Sequence, residues 1–437
     1  MRFQFVIAAS VTLAASVRPD ASASAPPPNI VMIIGDDQGW NDYGFMKSPV
    51  VRTPHLDKLA SEGVVFERGY VPSSLCRPSL ATMATGLFPH QHGITSNDPP
   101  YPVGVKPVDR MKNAQYLSDR ASMVKTFERS PNLAKLLGTH GWISHQSGKW
   151  WEGDSCRCGF TEGMTHGDPA RGGRHGDEGL TIGRRGLQPV FEFLEKARQG
   201  DKPFFLWYAP MMPHSPHNPP DRLLKKYDGK TKSIHVGRYW AMCEWFDETV
   251  GALLAELERN GQSSNTIVVY LHDNGWIQDP DSPAYAPRSK QSPYDGGLRT
   301  PIIIRWPNVV KPERSMALAS SIDVAPTLLR AAGLSPSPGM TGVDLLDHAA
   351  VRKRDAVFGE VFLHTAVDLD SPKRNLRFRW VVQDRWKLIV PDADVEPGRP
   401  MELFDLLGDP TETRNLAAER ADLVLGLSKR IDGWWKP

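Results

Sequence analysis

Cysteine is scarce in this chain: four among 437 residues, at positions 76, 156, 158 and 243. Four cannot build a disulfide scaffold. Cys156 and Cys158 are one residue apart, awkward for a mutual bond, and a bridge from either to Cys243 stays open. No His/Cys pair of suitable spacing follows them, which argues against zinc. An excess of charge is also lacking. Fifty-two Lys and Arg stand against 50 Asp and Glu, so neither nucleic acid nor a membrane surface is indicated. Beyond the amino end no apolar run is long enough to span a bilayer, and no internal repeat is evident. What remains is 40% apolar residues, enough for a large domain plus a small one. Thirteen tryptophans are many. Most are read as core and rim packing, with some beside the motifs below suited to stacking on a sugar.

Residues 1–25 read as a targeting signal. Arg2 opens it, Phe3 to Ser16 is mostly apolar, and Ala21-Ser22-Ala23 resembles a cleavage site. No cysteine closes the segment, so a lipid anchor is not expected. The expected location is periplasmic or secreted.

Three apolar runs carry polar tips. Ile30 to Ile34 is bounded by breakers and ends in Gly35-Asp36-Asp37. Phe204 to Ala209 leads to Pro213-His214-Ser215-Pro216-His217, and Ile267 to Leu271 to His272-Asp273-Asn274-Gly275. Such runs are strands buried on both faces of a parallel sheet, and open α/β sheets place ligands at the carboxyl ends of their strands. Adjacent aspartates there repel each other unless a cation lies between them. Helices are expected over Thr53–Gly63, Pro131–Gly138 with Ser130 as cap, and His235–Asn260, where Met242, Phe246, Val250, Leu253 and Leu257 recur at helical spacing. Residues 96–130 and 152–186 read as loops over the site. Strands Trp386–Ile389 and Met401–Leu406 read as a hairpin, followed by a terminal helix within Leu427–Trp435.

Cys76 lies in Ser73-Ser74-Leu75-Cys76-Arg77-Pro78-Ser79-Leu80-Ala81-Thr82-Met83-Ala84-Thr85-Gly86. Pro78 suits a helix's first turn and Gly86 its end. Cys76 then sits at an amino terminus that favours anions. Cys-x-Pro-Ser, Ala-x-x-x-Thr-Gly and Pro89-His90-Gln91-His92-Gly93 resemble the signature of the type I sulfatases of the alkaline-phosphatase-like superfamily. Gly148-Lys149-Trp150, Pro213-His214-Ser215-Pro216, Asp273-Asn274-Gly275 and Lys290-Gln291-Ser292-Pro293-Tyr294-Asp295-Gly296-Gly297-Leu298-Arg299 resemble further motifs of that family, in the same order. There are two departures. The family usually has arginine where Leu80 stands and histidine where Trp151 stands. Arg77 offers a cation one residue past Cys76.

The resemblance implies an α/β fold: a large mostly parallel mixed sheet flanked by helices over 29–348, then a small C-terminal α+β domain with an antiparallel sheet over 349–437. It implies a sulfatase in which a maturase oxidises Cys76 to formylglycine, whose hydrate attacks sulfur. Asp36, Asp37, Cys76, Asp273 and Asn274 are then the metal site, for calcium or magnesium. Lys149 and Lys290 grip the sulfate, and His214 or a neighbouring acid protonates the leaving alcohol. A sulfated carbohydrate is the expected substrate. The alternatives are phosphate or phosphonate ester hydrolysis on the same scaffold, and an inert calcium-containing binding homologue.

Overall fold

A computed structural model describes residues 26–437; the targeting signal expected at 1–25 lies outside the described residues. Eight strands form the main sheet: β1 (Asn29–Gly35), β2 (Val64–Tyr70), β3 (Ile143–Gly148), β4 (Glu162–Gly163), β5 (Phe204–Ala209), β6 (Thr266–His272), β7 (Arg299–Arg305) and β8 (Glu313–Ser320). Their spatial order is β4-β3-β5-β1-β6-β7-β2-β8. β1 is central and runs parallel to β5 and β6. Only β7 opposes the rest, antiparallel to both β6 and β2.

Side-chain alternation explains why the apolar runs of β1 and β6 are continuous. Ile30, Met32 and Ile34 of β1, with Ile267, Val269 and Leu271 of β6, belong to one core cluster. Val31 and Ile33, with Val268 and Tyr270, belong to a second. The sheet is therefore packed on both faces. Met242, Phe246, Val250, Leu253 and Leu257 of the long helix Ile234–Arg259 fill the second cluster. The first holds Leu80, Ala81, Met83 and Ala84 of the helix Cys76–Thr85, all ten residues of which are buried.

A second, antiparallel sheet follows: β9 (Ala356–Phe362), β10 (Leu376–Gln383), β11 (Trp386–Pro391) and β12 (Glu402–Asp405), in the order β12-β11-β10-β9. The expected hairpin is β11–β12, with Trp386 opposite Asp405. The terminal helix is longer than expected, Ala421–Trp434.

The capping of the helix after the first loop differs from expectation. It spans Leu133–Gly138, and Asn132, not Ser130, accepts the Lys135 N–H at 3.1 Å. Residues 96–130 are not all loop, because a helix runs over Ala114–Glu128. Its buried face is Tyr116, Arg120, Met123 and Phe127, and the arginine interrupts the apolar stripe that would have announced it.

The turn from β3 into Lys149 requires glycine. Gly148 has φ +89°, and a Cβ there would lie 1.9 Å from the Ala209 carbonyl oxygen. Gly148→Ala is expected to cost about 2 kcal/mol or more. Thermal unfolding checks this, and a variant melting with the wild type would contradict it.

Candidate active site

Six segments meet at one edge of the main sheet. β1, β3, β5 and β6 deliver Asp36-Asp37, Lys149, His214 and Asp273-Asn274 just past their carboxyl ends, and β2 leads from Tyr70 to Cys76. β7 runs the other way, so the segment before it, carrying Lys290, reaches the same edge.

The side chains interlock. Lys149 Nζ donates to both Asp36 carboxylate oxygens at 2.8 and 2.7 Å and lies 3.6 Å from Asp273 Oδ2. Lys290 Nζ donates to both Asp37 oxygens at 2.6 and 2.8 Å. The Asn274 amide donates to Asp37 Oδ1 at 2.7 Å, and its oxygen faces Cys76 Sγ at 3.4 Å. His214 donates from Nδ1 to the Ser215 carbonyl at 2.7 Å, leaving Nε2 3.3 Å from Asp37 Oδ2. Asp37 itself has φ +61°, a left-handed backbone that a non-glycine residue holds only under strain.

Burial and charge set the protonation states. Burial alone would raise the Asp37 carboxyl, but Lys290, His214 and Lys149 hold it well below the usual carboxylate range. Burial works against the charges of Lys149 and Lys290, yet Asp36 beside the first and Asp37 beside the second keep both protonated. Burial, with the negative charge of Asp36, pushes Asp273 up to about 8. Burial pushes the Cys76 thiol up to about 12, so the plain thiol stays protonated and is a poor nucleophile at neutral pH. Burial also lowers His214, with Asp36 and Asp37 opposing.

Donor atoms of Asp36, Cys76 and Asp273 lie within 4.8 Å of one another, as do those of Asp36, Asp37 and His214. Among the described residues, Asp273 Oδ2 is buried with no hydrogen-bond partner. An orphaned carboxylate oxygen among hard oxygen donors fits calcium or magnesium.

The two departures are accommodated by packing. Leu80 is 4% exposed inside the apolar core. Trp151 is buried under the Arg174 guanidinium, 4.5 Å away, and 5.0 Å from the His175 ring. Arg77 offers the site no cation, because it grips Glu152 through Nε at 2.8 Å and Nη2 at 2.6 Å. Arg174 in turn is held by Asp98.

The small sheet braces the Lys290 segment, which the sequence did not reveal. Gln291 N–H donates to the Ser74 carbonyl at 3.0 Å, tying that segment to the Cys76 loop. Arg377 on β10 donates to the Gln291 carbonyl at 2.9 Å. Lys387 on β11, fully buried, lies 2.8 Å from Asp295 and 2.9 Å from Glu412. Nothing in Trp386-Lys387-Leu388-Ile389 marks this lysine as inward-facing, because both faces of β11 are covered.

Strand-end carboxylates flanked by two buried lysines, beside a buried cysteine, suit a hydrolase of anionic esters. The Sulfatase family model matches residues 28–334, and the model for the N-sulphoglucosamine sulphohydrolase C-terminal region matches 288–433. The N-acetylgalactosamine-6-sulfatase of Canis lupus familiaris is 30% identical over 428 residues, covering 86% of this chain and 77% of the relative. The structure of Ps i-CgsB in complex with k-i-k-neocarrahexaose superposes with a TM-score of 0.73 at 23% identity, covering 94% of this chain and 93% of that one. Phosphonate monoester hydrolase of Agrobacterium radiobacter superposes with a TM-score of 0.69 at 18% identity, covering 93% and 95%. The chain belongs to the sulfatase family and is a sulfuric ester hydrolase.

Removing the buried cation tests the brace. Lys387→Met is expected to destabilise the protein by about 3–5 kcal/mol, because two carboxylates lose their partner. Burial already pushes Glu412 up to about 7. A carboxyl raised on folding stabilises the fold at low pH and loses that contribution as pH rises through its folded pKa. The Tm deficit of the variant is therefore expected to be larger at pH 8 than at pH 5. A deficit that grows on acidification would contradict this reading.

Proposed function

We propose that the protein removes sulfate from a sulfated carbohydrate after export, using formylglycine made from Cys76 and one calcium ion. Asp36, Asp37, Asp273 and Asn274 would hold the ion, with magnesium as the chemically similar substitute. A bound ion would supply charge neutralisation to the anionic ester. Position 76, converted to a hydrated aldehyde, would supply two hydroxyls, one nucleophilic and one for release of sulfate, where a thiol has no second group.

The charge balance carries the reading. Asp36, Asp37 and Asp273 oppose Lys149 and Lys290, so the buried set holds one net negative charge when ionised. A divalent cation turns this into one positive charge, which matches the single negative charge of a sulfate monoester. In a water-poor site that match is worth far more than in bulk water. Lys149 and Lys290 orient the sulfate through their ammonium groups. His214, its Nδ1–H held by the Ser215 carbonyl, would deliver a proton to the departing alcohol from Nε2 when the ring is the imidazolium, the form that Asp36 and Asp37 favour against burial.

The carbohydrate preference draws support from the name of the N-acetylgalactosamine-6-sulfatase relative, and the export reading from residues 1–25. We place a domain division at 348/349, ahead of the small sheet that starts at Ala356. A phosphonate monoester also carries one negative charge, and the superposition on a phosphonate monoester hydrolase keeps that second reading in play.

Paired aryl substrates separate the two. Turnover is expected on aryl sulfate well above aryl phosphonate, with an aldehyde at position 76 by peptide mass spectrometry. Lys149→Ala or Lys290→Ala is expected to lower kcat/KM about 100-fold or more, and Cys76→Ala to abolish turnover. A preference for the phosphonate, or full activity with an intact thiol, would overturn the proposal.

A further inference from the structure

A cleft of about 320 Å³ lies beside the catalytic centre and takes no part in the chemistry above. Trp276 is the partition. It lines the cleft, while its ring lies 5.8 Å from Lys290 Nζ and packs edge-on to His217 at 5.9 Å. The other walls come from the segment after β1 (Trp40, Asp42), the start of the long helix (Tyr239, Trp240) and the small-sheet loop at Glu412. The volume falls in the range of small-ligand sites.

Two features define what fits. Trp40 and Trp240 are half-buried and border the cleft. Arg299 packs over Trp40 at 3.8 Å, which holds that ring still. The polar groups are mixed. Asp42 accepts from the Tyr239 hydroxyl at 2.8 Å, and among the described residues no cation pairs with it. Arg288, whose guanidinium donates to the Glu412 carbonyl and lies 4.5 Å over the Tyr294 ring, lines the same space. An apolar ligand would leave the accepting capacity of Asp42 beyond its Tyr239 bond unmet. An anion would meet Asp42 and Glu412, and a cation would meet Arg288. A neutral ligand with hydroxyls that both donate and accept satisfies the walls, and a flat apolar face suits the indoles.

We propose that this cleft binds a neutral glycosyl unit, stacked on Trp40 and Trp240 and hydrogen-bonded to Asp42. The proposal rests on the carbohydrate-sulfatase reading, and gives that enzyme a second contact with a glycan through a unit that bears no sulfate. Trp240 and Asp42 are then determinants of glycan binding rather than of turnover.

Binding of unsulfated probes tests this apart from catalysis. Chitotetraose and cellotetraose would be titrated into the full chain by calorimetry, with saturation-transfer NMR as a second readout. Saturable binding of at least one is expected. It should weaken about tenfold or more in Trp240→Ala and in Asp42→Asn, and largely persist in Trp240→Phe, with circular dichroism showing that each variant is folded. Absence of binding by both tetrasaccharides, binding indifferent to Trp240→Ala and Asp42→Asn, or saturable binding of tetramethylammonium alone would overturn the proposal. The probes carry no sulfate and need no converted Cys76, so a negative result leaves the hydrolase reading to its own assay.

Discussion

Three carboxylates crowded at neighbouring strand ends are the constraint from which the rest follows. Asp36, Asp37 and Asp273 are each at most 2% exposed, where unpaired like charges repel strongly. A chain that keeps them together must bring cations to them. Lys149 and Lys290 provide two, and each comes from a different direction along the sheet edge. The reversal of β7 is what lets Lys290 arrive from a segment that precedes its strand. The site is thus a product of sheet topology as much as of the residues themselves.

Keeping Lys290 in place needs more than the main sheet. Its segment is held to the Cys76 loop by Gln291 and Ser74, and to the small sheet by Arg377, Lys387 and Glu412. The small sheet therefore bears on the site through direct contacts with the Lys290 segment.

Much of this was legible in the sequence. The apolar runs of β1, β5 and β6 declare buried strands, and the polar residues at their tips declare the ligand edge. What was hidden shares one physical cause: a charged side chain on an inward face. Arg120 breaks the stripe of the Ala114–Glu128 helix, and Lys387 sits among apolar neighbours on β11. Their partners, the Gly173 and Arg174 carbonyls for Arg120 and Asp295 and Glu412 for Lys387, come from distant segments, so no local pattern predicts the pairing. Arg77 reads as a cation near Cys76, yet Glu152, adjacent to the departing Trp151, claims it.

Calcium titration of chelator-treated protein by calorimetry bears most directly on the central claim, that the buried carboxylates surround a divalent ion. One ion per chain is expected, with the heat abolished in Asp37→Asn and in Asp273→Asn. Saturable calcium binding that survives both substitutions, or none in the wild type with either calcium or magnesium, would contradict it.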